Sequence, residues 1–286
     1  MTQTESKTIW QKILKIDYRI IYAIYLGVIA IFVITPIGLP IPITEQTHNA
    51  YNFAVNELQA GDVVVYDTQW GRGSLSTEPG GRVVAAHLLG KGVKLICVGT
   101  LSSANPYAMD SLELYVNEQI AKGNLPAGLA YGKDWIYIAP LGLGEIPKQA
   151  FAMDIKGMGN DFYGTPLSEI EMLDGIDTID DVAALYFVGN GQHLEWLRQW
   201  TVPYEIPTVA VTLGGNVPQY MPYYPSYMKA VMADIRSAAE YEVLTGMIGV
   251  ATASMDSLSA AILVVFGMIV IGNIAYLMDK QSGNRS

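Results

Sequence analysis

Polar residues able to hold a ligand recur at five points in this sequence, each directly after an apolar run and each beside glycine. The sets are Asp67, Thr68, Gln69, Trp70 and Gly71; Gly99, Thr100 and Ser102; Gly142, Gly144 and Glu145; Gly189, Asn190, Gly191 and Gln192; and Gly214, Gly215, Asn216 and Gln219. Carboxylates, amides and hydroxyls hydrogen-bond polar solutes, and glycine lets backbone approach a ligand or take a positive φ. Asp67, Thr68, Gln69, Thr100, Glu145, Asn190 and Asn216 are therefore the ligand-binding candidates. The same glycines also suit plain strand-to-helix turns.

Other chemistries find less support. No phosphate loop of the G-x-x-x-x-G-K-S/T type occurs, and Gly189-Asn-Gly-Gln-His-Leu lacks the third glycine of a dinucleotide fingerprint. Gly71-Arg-Gly-Ser-Leu-Ser lacks the glycine that a nucleophile elbow places two residues after its serine. His48, His87 and His193 fall in separate predicted helices, none spaced with a second His or Cys as a metal pair would be. The acids at Asp180 and Asp181, and around Glu169, Glu171 and Asp174, read as solvated faces. No catalytic residue, metal or cofactor is assigned. A formal charge of -10, with 27 acids against 17 bases, opposes a nucleic-acid partner. Cys97 is the single cysteine and lies in an apolar run, where it packs as a small hydrophobe.

The elements that position these residues follow from hydrophobic runs. Strands are predicted at Asp62 to Tyr66, Val93 to Val98, Trp135 to Ala139, Ala183 to Val188 and Thr208 to Thr212, continuous rather than alternating. Strands apolar on both sides belong to a parallel sheet covered by helices on both faces. Helices are predicted at Glu45 to Leu58, Gly81 to Leu89, Pro106 to Ala121 and Gln192 to Trp200, with a long final helix from Pro225. The alternation predicts an α/β fold, a doubly wound, mainly parallel five-stranded sheet of Rossmann-like or flavodoxin-like type. The five polar sets then fall at the carboxyl ends of the strands, where such sheets bind ligands.

The chain is 51% hydrophobic and 15% charged, apolar for a soluble protein, and the excess concentrates near both ends. Ile20 to Leu39 and Leu258 to Met278 are uncharged and long enough to cross about 30 Å of hydrocarbon. Lys7, Lys12, Lys15 and Arg19 precede the first span, and Lys280 and Arg285 follow the second. The positive-inside rule then puts both termini in the cytoplasm and the domain outside. The expected layout is a cytoplasmic segment 1–19, a span 20–39, an extracytoplasmic domain 40–243, a membrane-proximal segment and second span 244–278, and a tail 279–286.

Gly267 and Asn273 give the second span a close-approach surface and a polar side chain at depth, both suited to helix association. Asp256 stands at its outer rim as an N-cap or an interface residue. The stretch Gln219-Tyr-Met-Pro-Tyr-Tyr-Pro-Ser-Tyr makes Tyr220, Tyr223 and Tyr224 interface candidates, because tyrosine offers large contact area with a polar tip. Tyr163-Gly-Thr-Pro-Leu, Leu173-Asp-Gly-Ile, Gln219-Tyr-Met-Pro-Tyr, Ala238-Ala-Glu-Tyr-Glu, Met255-Asp-Ser and Gly272-Asn-Ile-Ala-Tyr together resemble an uncharacterised family of bacterial and archaeal two-span membrane proteins. The resemblance implies a layout and no activity, and it directs attention to Tyr163, Thr165, Glu240, Asp256 and Asn273. The expected function is a non-enzymatic membrane component, a homo-oligomer or a partner of other membrane subunits, whose external domain mediates protein contacts or binds a small solute. The alternative is a membrane-tethered hydrolase or transferase using Asp67, Glu145 or His193.

Overall fold

The structure is a computed structural model that describes residues 9–100, 105–138, 140–191 and 193–283. Lys7, Ser102, Ala139, Gln192 and Arg285 lie outside the described residues. In chain order the described elements are α1 (Ile9–Leu14), α2 (Tyr18–Ile34), α3 (Glu45–Asn56), β1 (Val63–Gln69), α4 (Glu78–Gly90), β2 (Lys94–Val98), α5 (Asn105–Ala121), β3 (Trp135–Ile138), α6 (Glu145–Met153) and β4 (Ala184–Gly189). After them come α7 (Leu194–Trp196), which continues through a wide π turn into α8 (Val202–Tyr204), then β5 (Thr208–Thr212), α9 (Val217–Tyr220), β6 (Met228–Ala233), α10 (Asp234–Thr245) and α11 (Val250–Gly283).

The chain divides into two compact units, 40–252 and the paired ends 1–39 with 253–286. The first is built on a six-stranded sheet in the order β3-β2-β1-β4-β5-β6, every pairing parallel. This is the Rossmann-like order, two βαβαβ halves meeting between β1 and β4. The pleat sends alternate side chains to opposite layers. Val64, Tyr66, Tyr186, Val188, Val209 and Val211 pack with α3, α4, α5 and α10, and helix and sheet approach closely at Gly81, where a Cβ would stand 2.7 Å from Val188 Cγ1. On the other face Val65, Ile96, Leu185 and Phe187 pack with Phe151 of α6 and with Trp196, Leu197 and Trp200.

Two predicted elements are corrected. The sheet has six strands instead of five, because Met228–Ala233 pairs with β5 where a helix was expected from Pro225. Its sequence, Met-Lys-Ala-Val-Met-Ala, has one β-branched residue and reads as helix former, yet Met228, Ala230 and Met232 are fully buried against the neighbouring strand and helices. The helix begins only at Asp234 and stops at Gly246, which takes φ +73° as its C-cap. Strand β1 also runs three residues past Tyr66, so Asp67, Thr68 and Gln69 belong to the sheet and pair with Phe187, Val188 and Gly189, not to a loop.

In the second unit α11 is the helix among the described residues that is long and apolar enough to cross a membrane. Helix α2 has 17 residues, about 25 Å at 1.5 Å each. It ends before Pro36, where Thr35 turns its N–H and hydroxyl back onto Ile31 O.

Candidate functional site

Asp67 projects from β1 into the layer formed by α6 and α7, fully buried just below the switch between β1 and β4. Its Oδ2 accepts hydrogen bonds from Trp196 Nε1 and from Gln69 Nε2, each 2.5 Å. His193 is 1% exposed, and its Nδ1 stands 3.7 Å from the same oxygen. The backbone N–H of His193 donates to Tyr220 Oη at 2.9 Å, and its ring centroid lies 5.3 Å from that of Phe187. Lys148, fully buried on α6, completes the cluster: its Nζ is 3.4 Å from Glu195, 3.3 Å from Gly144 O and 5.2 Å from the Trp196 ring centroid. Asp67 Oδ1 and both ring nitrogens of His193 have no hydrogen-bond partner among the described residues.

Burial dominates the protonation of this pair. It pushes the Asp67 carboxyl up to about 7, against the downward pull of Gln69, Lys148 and Trp196. The same burial pulls His193 down to about 4, and the Lys148 charge adds to it. At neutral pH the imidazole is therefore uncharged, and the 3.7 Å approach is a polar contact rather than an ion pair. A neutral imidazole beside a half-protonated carboxyl is acid–base equipment, but at 0–1% exposure neither side chain can touch a substrate in this arrangement.

The rim above the pair is laced shut by the residues expected to bind ligand. Asn190 accepts from Thr77 Oγ1 at 2.8 Å and donates to Ser74 Oγ at 3.3 Å. The Asn216 amide donates to Asn190 O at 3.1 Å, Gly191 O at 3.0 Å and Thr212 Oγ1 at 3.2 Å, tying the loops after β4 and β5. Thr68 points to the opposite layer, bonded to Val98 O at 3.0 Å and Tyr137 Oη at 2.6 Å. Thr100 is buried with its hydroxyl unpartnered among the described residues. Glu145 stands apart on the exterior, held by Arg198 at 2.6 Å and Gln199 at 3.0 Å. The structure thus joins Asp67 with Gln69, and Asn190 with Asn216, while Glu145 and Thr68 face elsewhere.

No family model, curated protein or solved structure matches this chain. The site is accordingly read from its own geometry. Beside the closed rim a cavity of about 330 Å³ opens where β6 passes into α10, lined by Val217, Val231, Ala233, Asp234, Arg236 and Ser237 among others. Nothing in the sequence marked Asp234, Arg236, Lys148, Glu195 or Trp196. Lys148 shares the buried stripe of α6 with Phe151 and Ala152, a position where helical spacing predicts an apolar residue.

The interface candidates mostly turn inward. Tyr220 is fully buried and supports His193. Tyr223 is half-buried, and Tyr224 donates to Glu45 at 3.0 Å and accepts from Asn49 at 2.8 Å, docking its loop on α3. Asp256 accepts the backbone N–H groups of Ile37, Gly38 and Leu39, each at 2.8 Å, a clasp that replaces the predicted helix cap. Asn273 bonds Ile269 O of its own helix at 2.8 Å, and Gly267 has open space beside its Cα. Of the remaining motif residues, Tyr163 is exposed, and its N–H and that of Thr165 donate to Asp161 at 2.9 and 2.7 Å. Glu240 is buried, accepting from Thr44 N, Thr44 Oγ1 and Arg236 Nε at 3.0, 2.6 and 3.0 Å.

Proposed function

We propose that this chain is a non-enzymatic membrane protein, anchored through both apolar ends with its termini in the cytoplasm, whose external Rossmann-like domain binds a small solute at the carboxyl edge of the sheet. Its apolar helices associate with further copies or with other membrane subunits. The observation that carries the solute-binding reading is the contrast along that edge. The acid–base pair Asp67 and His193 is sealed beneath a hydrogen-bonded rim, while a cavity of about 330 Å³ stands open beside β6. That volume falls at the small end of the roughly 300–1,000 Å³ typical of ligand pockets.

Thermal unfolding of the detergent-solubilised full chain against a library of polar solutes tests it. A binding solute stabilises by about 2.7 kcal/mol at a hundredfold excess over Kd, a shift of several degrees. A flat profile across the library sinks the solute-binding reading, and a strict monomer by light scattering sinks the assembly reading.

A second reading, a membrane-tethered hydrolase or transferase, is favoured by one feature: Asp67, His193 and Lys148 buried together at the switch point. Turnover of any ester or phosphoryl substrate that Asp67→Asn abolishes would establish it over the first.

A further inference from the structure

The cavity beside β6 has a chemistry of its own, and reading it rests on the solute-binding proposal above. Three charged groups reach it, Asp234, Arg236 and Glu240. Glu240 is spent: both of its oxygens are engaged, by Thr44 and by Arg236 Nε. Arg236 is oriented by that ion pair and by a bond from Nη2 to Pro42 O at 3.4 Å, which leaves further guanidinium N–H groups at the cavity. Asp234 differs, since its carboxylate has no hydrogen bond or ion pair among the described residues.

Two backbone peculiarities hold that carboxylate where it is. Asp234 takes φ +56°, a left-handed conformation that costs an L residue of order 1 kcal/mol and that the fold maintains all the same. Gly214, in the loop after β5, gives it room, because a Cβ there would lie 2.5 Å from Asp234 Oδ2. An unpartnered carboxylate, an oriented guanidinium and the apolar side chains of Val217, Val231 and Ala233 thus line one cavity. A carboxylate binds an ammonium, a guanidinium fork binds a carboxylate, and the apolar wall takes a hydrocarbon side chain.

We propose that this cavity receives a small zwitterion, an α-amino acid with an apolar side chain, its ammonium on Asp234 and its carboxylate on Arg236. The arrangement reads both charges at once, so either charge alone binds worse. Asp234, Arg236 and Glu240 sum to -1, a balance that a zwitterion leaves unchanged and that a lone carboxylate would worsen to -2.

Isothermal titration of the full chain in detergent with L-leucine, isoamylamine and 4-methylpentanoate tests the assignment. Leucine is expected to bind saturably, and the amine and the acid to bind roughly ten- to hundredfold more weakly, the cost of one missing charge-assisted contact. Asp234→Asn, which keeps a residue tolerant of positive φ, and Gly214→Ala, which displaces the carboxylate without changing charge, should each lower leucine affinity about tenfold or more while leaving the circular dichroism spectrum unchanged. Amine binding as tight as leucine binding overturns the zwitterion assignment and leaves solute binding standing. Leucine affinity indifferent to both substitutions places the site elsewhere and overturns it too. Silence from all three probes refutes the assignment, and silence from the wider library as well removes the solute-binding reading with it.

Discussion

Replacing Asp67 by asparagine uncouples two titrations that cancel in the native protein. In the fold the Asp67 carboxyl rises from 3.8 to about 7, and His193 falls from 6.5 to about 4. Between those limits the unfolded chain carries an ionised Asp67 and a protonated His193, whereas the folded chain keeps the carboxyl protonated and the imidazole neutral. Each state holds one proton on the pair, so the pair contributes no slope to stability between about pH 4 and 6.5. In Asp67→Asn only His193 remains, and its depressed value makes the unfolded state bind the extra proton. Stability relative to wild type should then rise with pH by about 1.4 kcal/mol per unit across that window, about 3 kcal/mol in all, present above 6.5 and lost as pH falls through about 4. His193→Gln exposes the opposite slope, because a raised carboxyl stabilises fully below 3.8 and loses about 4 kcal/mol as pH climbs through about 7. Urea unfolding of the full chain in detergent, followed by tryptophan fluorescence at half-unit pH steps, reads both slopes. His87, itself lowered to about 4 by burial, titrates alike in wild type and variants and drops out of the difference. Parallel pH profiles for Asp67→Asn and wild type would refute the claim that folding moves a proton from His193 to Asp67.

The remaining predictions concern the carboxylates and the glycine that hold the frame. Glu242 accepts the N–H groups of Gly249, Ala251 and Thr252 and the Thr252 hydroxyl at 2.7–3.2 Å, capping the start of α11 from α10, so Glu242→Gln should cost about 2 kcal/mol and speed amide exchange at 249–252. Asp256→Ala releases three backbone donors and should cost about 3 kcal/mol, read as a lower Tm in detergent and as new protease nicks near Gly38. Gly189→Ala puts a Cβ 2.8 Å from Gln69 O and 2.9 Å from His193 Nε2, a clash with backbone that should cost about 1–3 kcal/mol by urea unfolding and shift the His193 titration. An unchanged His193 resonance in that variant would show that the ring does not sit against Gly189.

What the sequence made legible was whatever is encoded locally. Continuous apolar runs at Val93 to Val98 and Thr208 to Thr212 can only be strands covered on both faces, and the 3.6-residue stripe of Met109, Leu112 and Val116 can only be a helix against them. Strand β6 escaped because its burial comes from its neighbours while its own residue types favour helix. The candidate site was legible in part: Asp67 and His193 stand out in the sequence, while their closure and their partners Lys148 and Trp196 do not. Whether Asp67 lines an open crevice or lies sealed against Trp196, 129 positions on, depends on pairing between elements that local patterning does not encode. Asp256 carries the point furthest: the donors it accepts from lie 217 to 219 residues away, and neither a helix cap nor a packing surface describes what it does. Glu240, Glu242 and Asp256 fall within seventeen positions of one another, and each carboxylate takes backbone N–H donors from a connecting segment or a first helical turn that would otherwise leave them unsatisfied. Acids in a stretch that reads as membrane-proximal suggest interfaces or proton chemistry. Here they answer a backbone accounting problem, fixing where the chain enters the α/β unit and where the long helix begins, and a change in any one should be felt as lost order before it is felt as lost binding.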